Sequence, residues 1–122
     1  MKIQEIMEMQ KEFDRKHGWN LKSADTKELL ETINKDLIGL FGEIGEFANL
    51  IKKLNIDLEI TSEKDLTEKL MKSNGALKEE LIDIFIYLIR ISTHMNVNIS
   101  DEYLRKLKFN EKKYKKYEIM NE

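Results

Sequence analysis

Two short stretches of this 122-residue chain set acidic side chains among apolar ones: GEIGEF at 42–47 and EELIDIFIY at 79–87. A carboxylate is costly to desolvate, so an acid kept inside a hydrophobic run calls for a partner, whether a cation, a lysine or water. Glu43 and Glu46 are three residues apart and project from one face of a helix. Glu80 and Asp83 repeat that spacing, with Tyr87 one turn further on. If the two helices lie side by side and antiparallel, four carboxylates converge, and like charges so placed repel unless neutralised. Hard divalent cations with oxygen ligands neutralise them, and magnesium commonly binds a substrate's phosphates as well. E-x-x-E spacing is also common on solvated helices, so a surface or structural role stays open on spacing alone. Lys52 and Lys53 lie too far along the helix to serve the first pair as i+4 partners.

The elements that must hold these residues are helical. Apolar residues Ile3, Ile6, Met7 and Phe13 recur near helical spacing over roughly 2–16, ending before His17-Gly18. The loop GWNLKSA follows. Asp25 and Glu28 form a D-x-x-E capping pattern that opens a second helix. That helix carries Leu30, Ile33, Leu37, Leu40, Phe41, Ile44, Phe47 and Ile51 on one broad face and stops near Asn55-Ile56-Asp57. Residues 61–72 read as a capped helix, with Ser73-Asn74-Gly75 as a break or a kink. A helix from about Leu77 to Met95 is the most apolar and is predicted to bury Leu81, Ile84, Phe85 and Leu88. Asn96–Ile99 form a turn, Ser100 caps, and a last helix runs to about Tyr117. Gly42 and Gly45 each cost a helix about 1 kcal/mol relative to alanine, so a helix or a ligand is expected close by. The predicted architecture is all-α: an antiparallel bundle of four main helices in one domain spanning 1–122.

Composition narrows the classes. There is no proline, only five glycines, 41% hydrophobic and 36% charged residues, a balance suited to amphipathic helices and unsuited to a turn-rich β fold. The absence of cysteine excludes disulfides, thiolate metal sites and a cysteine nucleophile. Neither a secretory signal nor a membrane-spanning stretch is apparent, and a cytoplasmic protein without membrane partners follows as the expectation. Net charge is −2, unevenly placed, since RKLKFNEKKYKKY at 105–117 is strongly basic. Such a run suits phosphate groups, an anionic surface or plain solvation.

Taken together, these segments resemble the MazG-like nucleotide pyrophosphohydrolases of the all-α NTP pyrophosphatase superfamily. The family pattern, E-x-x-E, a spacer, then E-x-x-D, appears here as Glu43 and Glu46, then Glu80 and Asp83. FDRKHGW at 13–19 and KLKFNEKKY at 106–114 look like further motifs of the dCTP pyrophosphatase-like branch, so the resemblance covers about residues 6–117. The spacer of 33 residues (47–79) is longer than usual, as is the stretch from Trp19 to Glu43, and Lys53 stands where a tryptophan is often found. These departures leave the substrate base open.

The resemblance implies hydrolysis of a nucleoside triphosphate between its α- and β-phosphates. It makes Glu43, Glu46, Glu80 and Asp83 ligands of magnesium, or of manganese in its place. Glu46, or Glu43, would activate the attacking water. Lys106, Asn110, Lys113 and Tyr114 would approach the phosphates, and His17, Trp19 and Tyr87 would contact the base, with His94 near the same cleft. A homodimer or homotetramer is expected, and no nucleic-acid polymer. The alternative is a nucleotide-binding or adaptor protein of the same fold without catalysis. A di-iron bundle is set aside, because neither His17 nor His94 follows a glutamate by three residues.

Overall fold

The computed structural model describes residues 1–20, 22–56 and 58–119. Four helices pack together: α1 (Ile3–Lys16), α2 (Thr26–Asn55), α3 (Glu63–His94) and α4 (Ile99–Lys113), followed by a 3-10 turn at Lys115–Tyr117. Among the described residues there is no strand. The long helices α2 and α3 form the main contact, α1 lies on α3, and α4 packs chiefly on α1.

Local chemistry sets the helix starts. The Asp25 carboxylate accepts the Glu28 backbone N–H at 2.8 Å, as the capping pattern predicts. Glu28 reaches back one residue further than in the standard box, accepting the Ala24 N–H at 3.4 Å. Ser62 caps α3 by accepting the Asp65 N–H at 3.2 Å. Lys52 and Lys53 sit in the last turn of α2, where cations complement the helix dipole.

Two sequence expectations are corrected here and one pair of alternatives is decided. Of a break at Ser73-Asn74-Gly75 or one long helix through it, the break is excluded, because α3 runs through it for 32 residues. A single glycine costs about 1 kcal/mol, and the flanking TEKLMK and ALKEEL segments are strong helix formers that carry the helix across. Ser100 does not cap α4. Asn98 does, accepting the Asp101 N–H at 3.1 Å, and it is as good a cap as serine. The α-helix ends at Lys113 rather than near Tyr117, and the chain tightens into the 3-10 turn.

The core is small. Met7, Leu40, Leu77 and Ile89 are its buried apolar side chains, and they share the interior with Asp14 and Asp36. Leu81 and Leu88, predicted to be buried, are about half exposed, while Ile84 and Phe85 are half-buried. On α2, Leu30, Leu37, Phe41 and Ile44 are also exposed. No helix of the described residues is long and apolar enough to cross a membrane.

Candidate functional site

The long helices α2 and α3 bring Glu43, Glu46 and Glu80 together. One carboxylate oxygen from each lies within 4.8 Å of the others. Glu43 and Glu80 are half-buried and Glu46 is exposed. Neither Glu43 Oε2 nor Glu80 Oε2, both sealed from solvent, has a hydrogen-bond partner. The Glu43 carboxyl beside it, partial burial and the Glu46 carboxyl all favour a proton on Glu80, pushing it up to about 7. With the Glu80 proton released, three carboxylates this close could hold a hard divalent cation such as magnesium. Asp83 stands outside the group of three. It shares with Glu43 a cavity of about 400 Å³ that Gln10, Phe13, Ile86, Tyr87 and Arg90 also line.

Tyr87 therefore does face the acidic region. Its ring crosses α2 at Gly39, where an added methyl group would clash with the Cε1, Cζ and Oη edge of the phenol. The close approach thus occurs at Gly39. At Gly42 and Gly45, where sequence placed it, an added methyl would meet nothing within 4 Å.

His17 and Trp19 lie apart from the carboxylates, at the end of α1. Phe13, His17 and Trp19 form an aromatic cluster, with the His17 and Trp19 rings stacked 4.7 Å apart. His17 Nδ1 donates to the Phe13 carbonyl at 2.7 Å, which fixes the imidazole. Gly18 takes a φ of +67° and Asn20 one of +54°, turning the chain sharply after α1. Both are residue types that tolerate the left-handed region. Trp19 lines a second cavity, of about 510 Å³, with Asn20, Thr32, Asp36 and Arg90. His94 donates through Nε2 to Asn20 Oδ1 and so ties α3 to this turn.

Lys106, Asn110, Lys113 and Tyr114 lie on or just past α4, and none of them lines the cavity holding Glu43 and Asp83. The Lys106 and Lys113 ammonium groups sit over the Phe109 ring at 5.0 and 5.9 Å, and Lys113 is 5.3 Å from the Tyr114 ring. Within one chain, then, the acidic group and the basic helix are separate features.

Sequence reasoning missed the polar centre that links the two cavities. Arg90 donates to both oxygens of Asp14, Nε at 3.1 Å and Nη2 at 2.9 Å, and Gln10 donates to Asp14 at 3.0 Å. The Arg90 guanidinium also lies 5.4 Å from the Tyr87 ring centre. Arg90 lines both cavities. Burial raises Asp36, against the opposing pull of Arg90. The signal was available: an arginine inside IYLIRIS needs a buried acid for the same reason that Glu80 needs a partner.

No protein family, curated protein or solved structure matches this chain.

Proposed function

We propose that the chain is a MazG-like, magnesium-dependent nucleoside triphosphate pyrophosphohydrolase, releasing nucleoside monophosphate and pyrophosphate. The observation that carries this reading is the meeting of Glu43, Glu46 and Glu80, with oxygens on two of them that have no donor. Antiparallel pairing of α2 and α3 agrees with the order of their contacts, Gly39 against Tyr87 and the Glu43–Glu46 pair against Glu80.

Glu43, Glu46 and Glu80 would hold the ion, with Asp83, which lines the cavity beside Glu43, available to complete the set. Magnesium, when bound, offsets the negative charge of the phosphates. Glu46, the most exposed of the three, orients the attacking water and takes its proton. The water oxygen bonds to the α-phosphorus, and the bridging oxygen leaves with pyrophosphate. Arg90, pinned by Asp14, supplies a fixed positive charge at the edge of the cavity. Lys106, Asn110, Lys113 and Tyr114 reach phosphates only if α4 of another copy, or a movement of α4, brings them over. A cytoplasmic homodimer or homotetramer is part of this reading.

The test is pyrophosphate release from each common dNTP and NTP, with magnesium and with EDTA, alongside Glu80→Gln. Release that depends on magnesium and is lost in the variant supports the reading. Folded protein that cleaves none of them, and gains no thermal stability from magnesium, overturns it.

A further inference from the structure

The lysines that the resemblance assigns to the substrate's phosphates lie on α4, away from the cavity that Glu43 and Asp83 line. Among the described residues lining that cavity, Arg90 is the only cation. Asp83, Tyr87 and Arg90 follow one another on α3 at spacings of four and three, which is one face of the helix. Asp83 and Arg90 are seven residues apart, or about 10 Å along the axis. An elongated anion lying along this face would meet the carboxylate group at one end, through a cation, and Arg90 at the other.

The hydrogen bonds of Arg90 leave a defined part of it unused. A guanidinium carries five N–H groups in a rigid plane. Asp14 takes two of them along one edge, one from Nε and one from Nη2. Nη1 makes no hydrogen bond to a described residue, and unlike the Glu43 and Glu80 Oε2 atoms it is not sealed from solvent. One N–H of Nη1 and the second N–H of Nη2 lie side by side on the outer edge of the plane, a fork that matches two oxygens of a phosphate. Arg90 is ordered before any ligand arrives. Asp14 is 2% exposed and accepts a further bond from Gln10 at 3.0 Å, and the Tyr87 ring lies 5.4 Å from the guanidinium. Asp14 offsets part of the arginine's charge, so the fork contributes direction as well as attraction. Lys106 and Lys113 are exposed, and fixing either one costs rotamer freedom.

We propose that the outer edge of Arg90 takes two non-bridging oxygens of the substrate's polyphosphate chain, with Asp14 and Gln10 as the positioning residues that aim it. Phosphate recognition then belongs to α3 of the same chain rather than to the lysines of α4. The proposal rests on the nucleotide reading above and adds to it the residue that binds the phosphates. It also explains why an ion pair is kept between α1 and α3, a junction that well-packed apolar residues would hold at least as firmly.

Inorganic tripolyphosphate, titrated calorimetrically with magnesium in excess, tests this without a base or a sugar. Asp14→Leu combined with Arg90→Met removes both charges and strands neither. That pair variant, checked for helix content, is expected to bind tripolyphosphate at least about tenfold more weakly than the unaltered protein. Lys106→Ala combined with Lys113→Ala is expected to stay within about twofold, because exposed charges contribute little. A folded pair variant with full affinity overturns the proposal, since a purely structural arginine would lower the melting temperature and leave binding alone. A loss confined to the lysine variant overturns it too, as does an unaltered protein that binds no tripolyphosphate. If the pair variant does not fold, Arg90→Lys decides. Lysine keeps a charge beside Asp14 but has no second edge, so undiminished affinity in that variant overturns the proposal. Pyrophosphate release from nucleotides is read separately. Release at full kcat/KM in the pair variant removes this proposal alone, whereas tripolyphosphate binding without release from any nucleotide removes the hydrolytic reading alone.

Discussion

A carboxyl group that keeps its proton up to about pH 7 binds a cation only after losing that proton. Glu80 is such a group, because Glu43 and Glu46 crowd it. Magnesium affinity is therefore expected to rise as pH passes upward through 7 and to lose that dependence in Glu80→Gln, which calorimetry at several pH values would read. The sign for the metal-free fold is the opposite. Folded Glu80 holds its proton more tightly than an unfolded glutamate of pKa 4.5, so its contribution to stability declines as pH rises from 4.5 through about 7. Thermal melts in EDTA should fall across that window and recover with magnesium on its alkaline side. Arg90 presents the converse case. Asp14 is 2% exposed, and Arg90→Met would strand its charge at a cost of about 3 kcal/mol or more, measurable by urea denaturation. Glu80 was legible in the sequence because an acid among apolar residues demands a partner. Arg90 obeyed the same rule, but its partner Asp14 lay 76 residues away, beyond the reach of any local pattern.

The start of α2 was legible because Asp25 is followed three residues later by Glu28, the capping pattern that the structure realises in the Glu28 N–H bond to Asp25. Helix boundaries were misplaced where two capping types competed, as at Asn98 and Ser100, and left undecided where a single glycine interrupted good helix formers. Asn98→Ala is thus expected to destabilise α4 by about 1 kcal/mol, while Ser100→Ala has little effect, and helicity with thermal melting separates the two. Glycines make a sharper comparison. Gly45→Ala meets nothing within 4 Å and should gain about 0.5–1 kcal/mol from helix propensity. Gly39→Ala must displace the Tyr87 ring, so the same substitution six residues earlier should gain nothing. A gain at Gly39 equal to that at Gly45 in denaturant melts would show that Tyr87 is free to swing aside.

At the scale of the molecule, the exposed apolar side chains are not scattered. Leu30, Leu37, Phe41 and Ile44 follow one another at spacings of seven, four and three along α2, a single stripe. Leu81 and Leu88 make a second stripe on α3. Arg90, which holds α1, is two residues beyond Leu88 and so about 200° further round the helix. It follows that α1 covers the far side of α3 and leaves the leucine stripe bare. This explains why an apolar pattern that pointed to burial coincides with exposure in the single chain. Among the described residues no element covers that face. Burying a large apolar side chain is worth about 2 kcal/mol. Six such residues from each of two chains, already about half covered, would contribute about 12 kcal/mol, comparable to a cost of association of about 4–15 kcal/mol. A second copy would supply the same face by two-fold symmetry. Light scattering at micromolar concentration is therefore expected to give a dimer or larger assembly. Phe41→Glu and Leu88→Glu should each return it to the mass of one chain with the helix content retained. A monomeric unaltered protein would mean that both stripes stay in water. The sequence's investment in Phe41, which is 66% exposed, would then need a different kind of partner.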